Sequence, residues 1–280
     1  MSARLSDRWR LTLPLALPAL GGLAYLAAFD APARLIVVNA GALAIALVWM
    51  LAGRMPTSST NRLAMAGLAA LALTLPVSLG PDVGGVSRWL PAGPLQLHSG
   101  ALLLPLITVL AAREPKVGAA LLALAGAGLV LQPDAASLLA LGLACMVLAA
   151  LSSRRIGYAV VSVAALGLAA ATFDAGTLEP QVFTEGVLAQ VWHSAPLFAL
   201  VLAALLFLVP PAVLLRQKGT RRTEGCALAA VLIGLAVAAM LAPFPFPLIG
   251  YGASPILGFG LALGAIAAAP HTDTAFRASA

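Results

Sequence analysis

Six carboxylates of this chain fall in gaps between apolar stretches where almost no basic residue lies: Asp30, Asp82, Asp134, Asp174, Glu179 and Glu185. Two arginines, Arg34 and Arg88, and two histidines, His98 and His193, share those gaps. A carboxylate can take a proton from an attacking hydroxyl while a nearby guanidinium holds a leaving phosphate, which is the chemistry of group transfer at a membrane surface. On that reading Asp134 is a candidate base and Arg88 a candidate phosphate holder. The plain alternative is solvated loop charge, since loops are usually polar. No phosphate-binding loop, zinc motif or nucleophile elbow accompanies these residues. His98 and His193 lie far apart without metal spacing, so no metal site is expected.

The elements that must position these groups are ten apolar stretches, near 11–29, 35–53, 63–79, 97–112, 117–132, 135–151, 156–173, 195–215, 225–242 and 254–269. The chain is 61% hydrophobic and only 9% charged, with a mean hydropathy of +1.02. A soluble domain of this length needs far more polar surface. A spanning helix needs roughly 20 apolar residues, because lipid cannot satisfy a free backbone N–H or C=O. Several stretches are shorter, so some are expected to be tilted, half-buried or broken. Ala, Leu and Gly dominate them, which suits close helix packing in lipid. The expected fold is all-α: a polytopic transmembrane helical bundle of about ten spans. Residues 1–280 form a single integral membrane domain on this reading, with a short cytoplasmic tail at 270–280.

Charge placement sets the orientation. The net charge of +6 and pI near 10.2 would suit nucleic acid, but all the basic residues except Arg34 and Arg88 fall in every second gap. Arg54 with Arg62, Arg113 with Lys116, Arg154 with Arg155, and Arg216, Lys218, Arg221 and Arg222 fill those gaps; Arg4, Arg8, Arg10 and Arg277 flank the ends. This is the positive-inside pattern, and it puts both termini in the cytoplasm of a multi-pass protein of a bacterial cytoplasmic (inner) membrane. Anionic membrane lipids are the natural partner of the basic loops, and nucleic acid is excluded. The first stretch resembles a signal peptide with a cleavage site at Ala31-Pro32-Ala33, but Pro14, Pro18 and Gly21-Gly22 make a poor signal core. Cys145 and Cys226 fall at different depths, which is incompatible with a disulfide. No Asp, Glu, Lys or Arg lies well inside a stretch, which disfavours a lipid or small-molecule transporter with an ionisable path. Asn39 is the most notable polar side chain at depth, and an interhelical hydrogen bond accounts for it.

Three segments between stretches carry more specific patterns. Ser87-Arg88-Trp89-Leu90-Pro91-Ala92-Gly93-Pro94-Leu95 precedes the fourth stretch; Leu131-Gln132-Pro133-Asp134 separates the fifth and sixth; Pro247-Leu248-Ile249-Gly250-Tyr251-Gly252-Ala253-Ser254 precedes the last. Pro133 suits a helix start and Asp134 can cap it, so capping alone explains that acid. Gly-Tyr-Gly lets the backbone turn tightly at the membrane edge, with Tyr251 offering a ring and a hydroxyl.

In order and side, these segments resemble the SEDS family, the FtsW/RodA/SpoVE-like shape, elongation, division and sporulation proteins. They are similar to that family's Arg-Trp…Gly-Pro, Gln-Pro-Asp and Pro-Phe-Ile-Ser-Tyr-Gly-Gly-Ser blocks, and ten helices with both ends inside is the family's architecture. The match has gaps. Where the family has Gln-Pro-Ser-Glu and then Leu-Ala-Lys, this chain has His98-Ser99-Gly100-Ala101 and Leu102-Leu103-Leu104, so both charges are lost. Where the family has His-Thr-Asp before the eighth helix, this chain reads His193-Ser194-Ala195. The family's catalytic Asp falls on Ala195, in a shortened loop.

The resemblance implies a role in bacterial cell-wall (peptidoglycan) synthesis during division or elongation. It implies an undecaprenyl-linked sugar such as lipid II as ligand, bound by Arg88, Trp89, His98, Gln132, Asp134, His193, Tyr251 and Ser254. A transpeptidase or another division or elongation protein is the implied partner. No resident cofactor is implied; a divalent cation would come with the pyrophosphate lipid. With Ala195 unable to act as a base, weak or no polymerase activity is expected; an active glycosyltransferase would need Asp174 or Glu185 to substitute.

Overall fold

The computed structural model describes residues 8–175 and 177–268. The expected tail at 270–280, with Arg277, and Arg4 lie outside the described residues. The chain is built from α1 (Leu13–Ala28), α2 (Ala33–Ala52), α3 (Ser59–Ala72), α4 (Leu75–Leu79), β1 (Trp89–Ala92), β2 (Leu95–His98), α5 (Ser99–Arg113), α6 (Gly118–Leu131), α7 (Ala135–Leu151), α8 (Arg155–Ala171), α9 (Val187–Ser194), α10 (Pro196–Phe207), α11 (Val209–Leu214), α12 (Thr220–Leu241) and α13 (Ala253–Ala267). It is a helical membrane bundle. Among the described residues, four helical stretches are long and apolar enough to cross a membrane: Arg8–Ala28, Ala33–Ala52, Pro196–Leu214 and Thr220–Leu241. Shorter apolar helices run alongside them.

Two of the expected spans are broken, each at proline. The 63–79 stretch becomes α3 and α4 with Pro76 in the first turn of the second piece. The 195–215 stretch becomes α10 and α11, parted at Leu208 just before Pro210 and Pro211. Proline has no N–H and its ring clashes with the carbonyl four residues back, so the helix restarts there. Helices α8 and α12 each pack against α7, and α13 is sandwiched between α2 and α5. Small residues set these distances: a Cβ at Gly234 of α12 would collide with Ala140 of α7, and one at Gly258 of α13 with the backbone of Ala101 and Leu102 in α5.

Alternate helix ends gather at opposite ends of the bundle. One end carries the basic loops and is tied by ion pairs. Arg113 reaches Glu224 through Nε–Oε1 at 2.7 Å and Nη2–Oε2 at 2.9 Å, and Nη2 also donates to the Ala265 carbonyl at 2.6 Å. Arg62 donates to Glu114 Oε1 at 2.6 Å, and Ser59 to Oε2 at 2.8 Å. Glu224 departs from the sequence reading, which left it in a loop before a span starting at 225. Helix α12 begins at Thr220, so Glu224 lies in its second turn with 1% exposure. A carboxylate tolerates that burial because Arg113 satisfies both oxygens. Cys145 and Cys226 are both buried free thiols.

The other end carries the acidic loops. An antiparallel hairpin runs from Trp89 to His98 there, overlapping the start of the expected 97–112 stretch, with Trp89 opposite His98 and Leu90 opposite Leu97. Gly93, at φ 62°, takes the first position of its two-residue turn, a conformation that costs glycine little. The long 174–194 segment contains α9, which buries Val187 and Val191 and leaves Trp192 exposed.

Candidate functional site

The residues of the acidic end are held by a hydrogen-bonded frame. Asn39, buried in α2, donates to the Gly250 carbonyl at 3.0 Å and accepts from the Gly252 N–H at 3.1 Å. That pair of bonds clamps the Gly-Tyr-Gly turn and aims Tyr251. The same turn bonds to the 174–194 segment, Tyr251 N–H donating to Phe183 O at 2.7 Å and Phe246 N–H to Thr184 O at 3.0 Å. Gly22 of α1 lies against this turn so closely that a Cβ would meet the Ile249 carbonyl at 2.7 Å.

The hairpin is fixed from the other side. His98 N–H donates to Ser254 Oγ at 2.7 Å, joining β2 to the first turn of α13. His98 Nδ1 accepts from Ala101 N–H at 3.2 Å and so caps α5. A ring nitrogen that accepts carries no proton, so the neutral imidazole holds its hydrogen on Nε2. Nε2 faces Asp134 Oδ2 at 3.7 Å. Burial pushes the imidazolium pKa down, and the Asp134 charge opposes this while Arg88 adds to it. Asp134 itself caps α7 through Oδ1, which accepts from Ser137 N–H at 3.1 Å. Gly100 completes the contact, since a Cβ there would fall on Asp134 Oδ2 and Ser137 Oγ. Gln132 is fully buried; its oxygen accepts from Ser99 Oγ at 2.7 Å and its amide donates to the Leu73 carbonyl.

A cavity of ≈ 330 Å³ opens within this frame. Trp89, His98, Tyr251 and Ser254 line it, together with Arg34, Glu179, Thr184 and Glu185. Burial holds the Glu185 carboxyl above the usual carboxylate range, opposed by the Gln181 N–H that it accepts and by the Arg88 charge. A second cavity of ≈ 590 Å³ lies beside the first, between α9, α10 and the end of α12. Its walls are apolar, with Leu188, Trp192, Leu200, Met240 and Phe246 prominent, and Glu185 lines it too.

Four of the residues expected from sequence thus share the first cavity. Arg88, Gln132 and Asp134 do not line it; they lie buried behind its wall. Arg88 is 2% exposed, with its guanidinium carbon 5.6 Å from the Trp89 ring and 5.9 Å from the Phe244 ring. Its Nη2 reaches the Pro133 carbonyl at 3.5 Å. Burial lowers the Arg88 pKa, and the charges of Asp134 and Glu185 oppose this. His193 lines the second cavity rather than the first. Asp174 lines neither, so of the two acids named as substitutes only Glu185 faces the cavities. Ala195 sits in the joint between α9 and α10 and also lines neither. Among the described residues, no group of three or more His, Cys, Asp or Glu could hold a metal ion. Sequence reasoning passed over Arg34, Glu179 and Thr184 as site residues. The isolation of Arg34 among the acidic loops was the one signal that pointed to it.

The bundle and its loop frame define an integral membrane protein with a SEDS-like fold. No family model matches the chain, and no curated protein matches it by sequence. Among solved structures it is similar to RodA, the rod shape determining protein of Thermus thermophilus, with a TM-score of 0.66 and 19% identity over 93% of this chain and 95% of that one. An aspartate-to-alanine mutant of the same RodA gives 0.66 at 20% identity, over 93% and 96%. A chain from a peptidoglycan synthase complex that coordinates polymerization and crosslinking gives 0.62 at 19% identity, over 93% and 96%.

Proposed function

We propose that this protein acts in bacterial cell-wall synthesis by binding an undecaprenyl-pyrophosphate-linked sugar at the acidic end of the bundle, facing outward, with weak or no polymerase activity. The observation that carries the reading is the meeting at Glu185 of a cavity that carries charged and hydroxyl side chains among apolar ones and a second cavity walled almost wholly by apolar side chains. An amphiphile with a sugar head and an isoprenoid tail matches two such compartments, the tail in the apolar one and the head among carboxylates, hydroxyls and an indole. The RodA-like fold supports this ligand class, and the peptidoglycan synthase complex supports a transpeptidase as partner. The low activity follows from Ala195, which presents a methyl group away from both cavities. Ala195→Asp alone recovers little, because its new carboxylate would stand at the α9–α10 joint.

Glu185 carries a second reading, an active glycosyltransferase with a relocated acid. In that reaction a hydroxyl of one lipid-linked sugar attacks the anomeric carbon of another. The new C–O bond forms as the bond to the lipid pyrophosphate breaks, and Glu185 takes the hydroxyl proton. Its raised proton affinity suits that role. Lipid II polymerisation by purified protein, alone and with a transpeptidase, decides between the readings. Short or absent glycan chains are expected. Long chains that disappear in Glu185→Gln establish the second reading, and long chains that persist in it refute both.

A further inference from the structure

We infer that Arg34 is the residue that holds the anionic phosphate of the ligand in the polar cavity, and that Arg88 shapes the wall behind it. This rests on the ligand class proposed above. Outside the basic loops and ends the chain has two Arg or Lys residues, Arg34 and Arg88; Arg34 lines this cavity, and Arg88 lies behind its wall beside Trp89, which lines it. Their surroundings differ. Arg88 is buried behind the lining between the rings of Trp89 and Phe244, so its guanidinium cannot be offered to a ligand without dismantling the hairpin. Arg34 is exposed and lines the cavity. Among the described residues it donates no hydrogen bond and forms no ion pair within the protein, so its planar fork of donors is available.

Depth points the same way. Arg34 is the second residue of α2, a helix of 20 residues apolar enough to cross a membrane. A side chain in the first turn of such a helix sits at headgroup level, where a lipid phosphate is found. The other charged side chains lining the cavity are Glu179 and Glu185, which repel a phosphate and suit sugar hydroxyls. Arg34 therefore fixes which way the ligand enters: phosphate toward the start of α2, hydroxyls toward the 179–185 segment.

Native mass spectrometry of the whole protein released from detergent tests this, with undecaprenyl pyrophosphate and uncharged undecaprenol as probes. Wild type is expected to prefer the pyrophosphate lipid. Arg34→Gln should lose about 10- to 100-fold of that preference, the range for removing hydrogen bonds to a charged group, and keep its undecaprenol binding. Arg34→Lys should recover part of it, retaining charge but not the fork. Inorganic pyrophosphate should compete weakly, since it lacks the chain; competition at equal concentration, lost in Arg34→Gln, would keep Arg34 as the anion contact but move the ligand to free diphosphate. An unchanged preference in Arg34→Gln, or equal loss of both lipids, overturns the inference and leaves the ligand class standing. Failure of wild type to distinguish the two lipids removes both.

Discussion

Replacing Arg113 with methionine should destabilise the bundle far more than neutralising its partner. In wild type, Arg113 gives two hydrogen bonds to Glu224 and a third to the Ala265 carbonyl in the last turn of α13. Glu224 is 1% exposed, whereas the Arg113 side chain keeps 11%. Arg113→Met therefore strands a carboxylate with no route to water and frees a helix-end carbonyl. Breaking a buried pair from one side costs about 3–5 kcal/mol, and an unsatisfied buried carbonyl adds about 1 kcal/mol or more. Glu224→Gln keeps acceptor and shape, and the remaining guanidinium can turn toward solvent, so about 1–2 kcal/mol is expected. The double variant Arg113→Met with Glu224→Met removes both charges, and should recover most of the loss because apolar replacements of similar volume are often neutral. Unfolding in mixed micelles, followed by helical circular dichroism, gives the four stabilities. A double variant as unstable as Arg113→Met would refute the stranded-charge argument, and a cost under about 1 kcal/mol for Arg113→Met would refute the burial behind it.

Asn39→Leu removes both bonds to the Gly-Tyr-Gly turn and should cost about 2 kcal/mol; hydrogen exchange across 246–254 should quicken, and unchanged protection there would show the turn to be held otherwise. Glu185 has its folded-state pKa raised by burial, so the folded form binds that proton more tightly than the unfolded one. Wild-type stability should therefore fall as pH rises from the ordinary carboxylate range through the raised value, and Glu185→Gln should lose that dependence. A difference between the two that does not vary with pH, read from melting temperatures at several pH values, would rule burial out as the cause. For orientation, a cysteine at position 180 in a background lacking Cys145 and Cys226 should react with a membrane-impermeant reagent from outside, and one at position 218 should not; the reverse pattern would invert the bundle and the proposed site with it.

Much of the architecture was legible because lipid allows so few backbone solutions. Each apolar stretch became one helix or, at 63–79 and 195–215, two, and the gaps alternate between ends as all the described basic residues but Arg34 and Arg88 do. The prolines at 76, 210 and 211 were visible, but hydropathy does not record a break when both halves remain apolar. The hairpin was hidden because only four residues lie in each strand and Pro91 and Gly93-Pro94 read as loop. The apolar stretch at 225–242 begins after Glu224, but the helix begins at Thr220, because a partner on α5, 111 residues away, lets Glu224 sit inside it. Trp89, His98, Tyr251 and Ser254, which stood out in or beside local motifs, line one cavity. Arg88 was preferred to Arg34 as phosphate holder, whereas Arg88 is buried behind the wall and Arg34 lines the cavity, because burial behind a ring and exposure in a cavity are tertiary properties with no local signature. Asn39 was read as an interhelical bond, but it bonds instead to the backbone of a turn more than 200 residues on, a partner with no local signature.

The two ends of the bundle are held together by unlike bonds. At the basic end, α5, α12 and α13 meet in one charge-satisfied knot around Arg113. At the acidic end, the segments beside the cavities are joined by loop-to-loop backbone bonds, by the Asn39 clamp and by single side-chain bonds such as Tyr25 to Gln190 and His98 N–H to Ser254. The bundle is thus tied by paired charges at one end and by hydrogen bonds around two cavities at the other. Helix α10 is broken from α11 at Leu208 and walls the apolar cavity, so the helix that bounds this cavity is set apart by a joint from the segment leading to the basic loops.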